Sequence, residues 1–299
     1  MSAAEPMPNI LNGPLAVLGK LIPARFRPGI PIVPVVPLSG VIGVSTPLRR
    51  GLMLSTVARM LERAFSYRNA RALALIINSP GGSPAQSHLI FRRIRDLAGE
   101  KKLPVIAFIE DVGASGGYML ACAADEIICD PFSIVGSIGV VGGSFGFPKA
   151  MEKLGIERRL YTSGDRKAML DPFLPEKPED VKRIKAIQKD IHEHFIALVK
   201  ERRAGKLNGT DKTLFSGEFW VAQNAIELGL ADAVGDLRSI LRSRYGEKVR
   251  TPLITSERTI FGRRIPSLGS REMSGRQSGL ADELISALEA RALWGRYGL

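Results

Sequence analysis

Two strand–glycine turn–helix units follow one another in this chain, and that succession narrows the fold more than any other feature. A continuous apolar run over 72–77 stops at Asn78-Ser79-Pro80-Gly81-Gly82. A helix starting near Pro84 follows, with Leu89, Ile90, Ile94 and Leu97 on one face. The pattern then repeats as an apolar run over 105–109, a turn at Asp111-Val112-Gly113-Ala114, and a helix from Ser115 to about Ala124. Uninterrupted apolar runs of this length suit strands buried on both faces. A helix over 52–66, strands over 33–42, 126–129 and 157–161, and a helix over 148–154 extend the series. The expected fold class is α/β: stacked βαβ units with a mostly parallel sheet, functional groups gathering at the carboxyl ends of the strands.

The longest helix, over 178–203, carries Val181, Ile184, Ile191, Phe195 and Leu198 on one face and Lys182, Arg183, Lys185 and Lys189 on another. A compact unit over 213–234 closes the core. Beyond it, 255–279 reads as an Arg/Ser/Gly-rich linker and 280–294 as an amphipathic helix. The chain thus divides into an N-terminal arm (1–32), a compact domain (33–250), and a basic linker with a C-terminal helix (251–299).

Composition removes several function classes. Hydrophobic residues at 45% can fill a core, so the chain is not disordered as a whole. The 42 Lys+Arg against 30 Asp+Glu give a charge of +12, but these residues are spread out and lack interleaved aromatics, so no nucleic-acid partner is expected. The two cysteines, Cys122 and Cys129, form no CxxC motif and read as buried free thiols, which suits a reducing compartment. No signal peptide is expected. The uncharged run over 28–48 holds five prolines, which would break a lipid-facing helix, so no transmembrane span is expected there.

Ser115 opens a helix at a tight turn, where backbone N–H groups can meet a developing oxyanion, the requirement of an acyl-transfer nucleophile. Taken alone, the same serine reads first as a helix N-cap in a Gly-rich turn. Gly81 and Gly82, after the neighbouring strand, allow close backbone approach and can leave an N–H aimed into a cleft. A serine nucleophile needs a base. His88, His192 and His194 lie far from the strand ends and read as surface or packing residues, and no carboxylate–histidine set has the spacing of a zinc site. Lys167 is the other candidate, with Ala168, Met169 and Leu170 behind it. A lysine acts as a base only when held neutral, which takes desolvation in a dry cleft.

The ordered set of motifs resembles the signal peptide peptidase A family of Ser–Lys proteases, related in fold to the Clp protease and the crotonases. The residues that carry the resemblance are Asn78–Gly82, Gly113-Ala114-Ser115-Gly116-Gly117-Tyr118 and Gly136-Ser137-Ile138-Gly139, then Ser163-Gly164-Asp165-Arg166-Lys167, Phe215-Ser216-Gly217, Ala225 and Gly229-Leu230-Ala231-Asp232. They span about 34–237. Lys167 follows Ser115 by fifty-two residues and Ser137 follows it by twenty-two, similar to the family's spacing.

The resemblance implies Ser115 as nucleophile, Lys167 as general base and Ser137 as the group orienting the lysine amine. It also implies an oxyanion hole from Gly116 and one of Gly81 or Gly82, with 33–250 as the peptidase domain. The implied reaction is peptide hydrolysis through an acyl-enzyme, on signal peptides or other apolar segments, without metal or nucleotide cofactor. Family members assemble into rings or domes, so a homo-oligomer is expected, with a dyad shared between subunits as a hypothesis. The expected location is the cytoplasm, with residues 10–22, Lys20, Arg25 and Arg27 as candidates for peripheral contact with the inner face of the membrane. Two rival readings are a crotonase-type acyl-thioester enzyme and an inactive scaffold or binding protein.

Overall fold

The computed structural model describes residues 29–44, 51–255, 259–260, 263–264, 288 and 291–299. A seven-stranded sheet organises them. β1 (Val35–Ser39), β2 (Leu73–Ser79), β3 (Val105–Ala114), β4 (Glu126–Cys129) and β7 (Ala233–Val234) lie side by side in that order and all parallel. β5 (Ile134–Gly136) runs parallel to the far end of β3, and β6 (Phe219–Val221) closes antiparallel on β5. Beside β1, Val33 and Val35 donate to the carbonyls of Arg250 and Pro252, and Ile254 donates back to Val35.

Side chains alternate across this sheet. Leu73, Leu75 and Ile77 enter the larger core; Ala72, Ala74 and Ile76 enter the smaller one. The larger core lies under α1 (Leu54–Phe65), α2 (Pro84–Lys101), α3 (Gly116–Ala121) and α5 (Pro178–Arg202), which is why the strands read as unbroken apolar runs. Leu237, Ile240 and Leu241 of α8 (Leu237–Tyr245) cover the other face. Three further helices are short: α4 (Pro148–Lys153), α6 (Asp211–Leu214) and α7 (Ala222–Glu227).

Most expected elements form, with four differences. The apolar face of α2 is Ile90, Phe91, Ile94 and Leu97; Leu89 points outward at 44% exposure. Residues 111–114 are not a turn. Ile77 pairs with Ile109 but Ser79 with Gly113, so β3 carries two extra residues in a bulge and continues to Ala114. Val112 and Ala114 then pair with β5, and that pairing outweighs the turn chemistry of Asp111 and Gly113. The strand expected over 157–161 does not form. Among the described residues no strand pairs with it, and residues 157–161 are exposed. On α5 only Phe195 and Val199 are buried, while Val181 and Ile184 are half-buried.

The candidate surface segment 10–22 and most of the expected linker lie outside the described residues, save the short pair β8 (Thr259–Ile260) and β9 (Arg263–Arg264). Of the helix expected over 280–294, Leu288 and residues 291–294 are helical where described. Tyr297 packs on Val112 and Ala114 of β3, edge-on to Phe219 with ring centroids 5.1 Å apart. Among the described residues no helix is long and apolar enough to cross a membrane.

A buried ion pair ties α5 to the sheet. The Arg203 guanidinium, 2% exposed as a residue, grips Asp232 bidentately at 2.7 and 3.0 Å and donates from Nε to the Gly229 carbonyl. Asp232 also accepts from Lys206 and from the Ile127 backbone of β4. Burial works to raise the Asp232 pKa, but the hydrogen bonds from Arg203, Lys206 and Ile127 outweigh it and hold the carboxyl below the usual range. A depressed carboxyl contributes stability above its unfolded pKa, near 3.9, and loses it as pH falls through the lower folded value. Wild-type unfolding free energy from urea titration should therefore fall below about pH 4, with a shallower acid limb in Asp232→Asn. Asp232→Ala, which strands the buried Arg203 charge, should cost about 3 kcal/mol at pH 7.

Candidate active site

The carboxyl ends of β2 and β3 bring the two glycine turns into contact. Ser115, between β3 and α3, has φ +53° and ψ −122°, a conformation that costs a non-glycine residue about 1–3 kcal/mol. Its N–H donates to the Gly136 carbonyl at 2.8 Å, and its carbonyl accepts from Met119 at 3.0 Å. The turn after β2 lies against it. A β-carbon on Gly81 would sit 2.7 Å from Ser115 Cβ, 2.9 Å from the Gly116 nitrogen and 3.0 Å from Ser115 Oγ. Gly81 also has φ +103°, so both space and backbone require glycine.

The two glycines of that turn differ. The Gly81 N–H donates to Ser79 Oγ at 3.3 Å, while Ser79 Oγ donates to the Gly40 carbonyl. Gly82 packs on Ile42 and lines the chamber at Ser115, and its N–H has no partner among the described residues. The Gly116 N–H, at the start of α3, is likewise without a partner there. The chamber encloses about 20 Å³ and is walled by Gly82, Met119, Gly139, Val140, Ile191 and Phe195 around Ser115.

Ser137 lies on the strip that leaves β5, buried, with φ +52°. Three successive residues of this strip have three different anchors. The Gly136 carbonyl accepts from Ser115, the Ser137 N–H donates to the Glu218 carbonyl at 2.7 Å, and the Ile138 carbonyl meets His192 Nε2 at 3.0 Å. Ser115, Gly81, Gly82, Gly116 and the strip bearing Ser137 are thus brought together.

Lys167 is not brought to them within the chain. It sits at an exposed turn, its N–H bonded to the Gly164 carbonyl, and its side chain makes no hydrogen bond to Ser115 or Ser137. The dry setting expected from Ala168, Met169 and Leu170 is absent at Lys167, because those three are only half-buried and the preceding strand does not form.

Sequence reasoning missed Met119, Ile191, Phe195 and His192. The four-residue spacing of Ile191 and Phe195 puts them on one helix face, but spacing does not say what that face meets. The cysteines are both buried free thiols, as expected. Burial pushes each thiol up to about 12, so neither is a thiolate nucleophile at neutral pH.

Residues 98–248 match peptidase family S49. The chain belongs to that family. The parallel βαβ sheet is the Clp/crotonase-like architecture that the sequence motifs implied. A Brucella abortus protein named Na(+)/H(+) antiporter NhaA is 54% identical over 288 residues, covering 95% of this chain and 39% of that protein. The chloroplastic serine protease SPPA of Arabidopsis thaliana is 33% identical over 203 residues, covering 65% of this chain and 29% of that protein. Protease 4 of Haemophilus influenzae is 32% identical over 184 residues, covering 60% and 29%. The chain therefore spans well under half the length of these relatives.

The approach of Gly81 to Ser115 gives a direct test. Gly81→Ala should cut labelling of Ser115 by a fluorophosphonate probe by about tenfold or more, because the added methyl occupies the space beside Oγ. Labelling at the wild-type rate would show that the turn does not shape the reactivity of this serine.

Proposed function

We propose that this chain is a serine endopeptidase in which Ser115 attacks the peptide carbonyl and Lys167 is the general base. The observation that carries the reading is the strained Ser115 turn, closed over by Gly81, beside the N–H groups of Gly82 and Gly116, which have no partner among the described residues. As Ser115 Oγ bonds to the carbonyl carbon, its proton passes to the neutral lysine amine. The carbonyl oxygen becomes an oxyanion held by the N–H groups of Gly116 and Gly82. Gly82 is preferred to Gly81 because the Gly81 N–H is already bonded to Ser79.

Collapse of the intermediate breaks the C–N bond, and the lysine returns its proton to the leaving amine. Water then attacks the acyl-enzyme with the lysine again as base, releasing the carboxylate and regenerating Ser115. Ser137 would orient the amine, as a third group does in such sites. A crotonase-type reading is disfavoured, since no carboxylate lines the Ser115 chamber among the described residues.

The exposed position of Lys167 favours a dyad completed across a subunit boundary. Phe145, Leu154, Ile156 and Tyr161, between Ser137 and Lys167, are exposed at 55–90% and would be covered in a homo-oligomer. Substrates would be signal peptides or other apolar segments. The similarity to a region of a Brucella protein named for an antiporter favours work near a membrane, which we assign to the cytoplasmic face.

Ser115→Ala and Lys167→Ala should each lower cleavage of a peptide library by about 10⁴-fold, with thermal stability near wild type. Mixing the two inactive proteins should restore activity if subunits share sites. A mixture that stays inactive would place the dyad within one chain. The 299-residue chain should float with anionic liposomes, and recovery in the soluble fraction would remove the membrane assignment.

A further inference from the structure

The strand that leads to Ser115 is covered differently along its length. Before the bulge, Val105, Ala107 and Ile109 face the larger core, and Ile106 and Phe108 face the smaller one. Beyond the bulge, Val112 and Ala114 belong to neither. They form a small cluster of their own whose third buried member is Tyr297, with Ile134 and Trp294 packed against it. Val112 and Ala114 are completely buried and Tyr297 is 7% exposed. Ala114 is the residue before Ser115, so this ring lies one position from the serine.

The same ring reaches the other half of the site. It meets Phe219 edge-on, with the ring planes at 70°, a favourable arrangement for two aromatic side chains. Phe219 stands opposite Gly136 in the pairing of β6 with β5. The Gly136 carbonyl accepts from the Ser115 N–H, and the carbonyl of Glu218, next to Phe219, accepts from the Ser137 N–H. Tyr297 therefore touches both the strand that carries Ser115 and the strand pair that anchors Ser115 and Ser137. It is not among the residues that wall the Ser115 chamber. The ring makes these contacts, not the hydroxyl: Tyr297 Oη is buried with no hydrogen-bond partner among the described residues. A hydroxyl buried in that way costs stability.

We propose that Tyr297 is a positioning residue for Ser115, its ring holding the end of β3 against the β5–β6 pair. The inference rests on Ser115 being the nucleophile and adds what keeps it aimed. At φ +53° and ψ −122° the serine relaxes toward an ordinary conformation unless its surroundings prevent it. The hydrogen bond to Gly136 restrains the Ser115 N–H from one side. The Tyr297 ring restrains Ala114, and with it the direction from which the chain enters the turn.

The test is the rate at which a fluorophosphonate probe labels Ser115 in the full chain, over a range of probe concentrations and at a temperature where circular dichroism shows each variant folded. Tyr297→Ala should lower the maximal labelling rate by about tenfold. The half-saturating probe concentration should not change, because Tyr297 lies outside the chamber. Tyr297→Phe should label at the wild-type rate or faster, since it loses only the unpartnered hydroxyl. Tyr297→Leu keeps apolar bulk if the alanine variant fails to fold, and should lose about threefold. Leu241→Ala, a truncation in the smaller core, should lower the melting temperature without slowing the labelling.

A wild-type labelling rate in Tyr297→Ala and Tyr297→Leu would overturn the proposal. So would a loss in Tyr297→Phe as large as in Tyr297→Ala, or equal slowing in Leu241→Ala. Hydrogen exchange separates these failures from a failure of Ser115 as nucleophile. Tyr297→Ala should speed amide exchange in peptides covering 112–119 and 134–138 by about tenfold, while a peptide over 73–79 keeps its wild-type rate. If wild type is not labelled at Ser115, faster exchange there removes the nucleophile and leaves Tyr297 as the support of this turn. Unchanged exchange removes the support as well.

Discussion

The structure depends on two backbones meeting where no side chain fits. The turn after β2 passes so close to the turn after β3 that a β-carbon on Gly81 would lie 2.7 Å from that of Ser115. Each turn alone is an ordinary strand-to-helix connection. Together they form one wall beside the serine hydroxyl, with Gly82 and Gly116 lining the same chamber. The parallel pairing of β2 and β3 makes this possible, because parallel neighbours end at the same edge of the sheet.

The bulge in β3 aligns these ends. Without the two extra residues opposite Ile77 and Ser79, Ser115 would stand elsewhere relative to Gly81. The bulge also carries Val112 and Ala114 into register with β5, whose last carbonyl, that of Gly136, accepts from Ser115. The strain at Ser115 is thus held by pairing on two sides, with Tyr297 packed behind the strand and Arg203–Asp232 fixing α5 to β4 from farther off. Such strain persists only where its surroundings determine it from several directions.

Much of this was readable from the chain. The runs over 72–77, 105–109 and 126–129 became strands because buried parallel strands need apolar residues on both faces. Cys122 and Cys129 were legible as buried thiols for the same reason. The β3 bulge was not legible, since Asp111 and Gly113 have the chemistry of a turn and only the partner strand β5 overrides it. The segment 157–161 has the composition of a strand but no strand to pair with among the described residues. His192 and the pair Ile191 and Phe195 read as features of a helix surface, and nothing local showed that this surface meets Ser115.

The sequence by itself determined the class of fold, the family and the residue types available for catalysis, because strand–turn–helix order and glycine placement are local properties. The tertiary structure decided which of them meet. It set Gly81 against Ser115, left the Gly82 N–H without a partner among the described residues where the Gly81 N–H is bonded, and put Lys167 on an exposed turn with no hydrogen bond to the serine. The approach of Gly81 to Ser115 joins residues thirty-four positions apart. Such contacts are set by the packing of α2, α3 and α5 on one sheet, which local spacing does not encode.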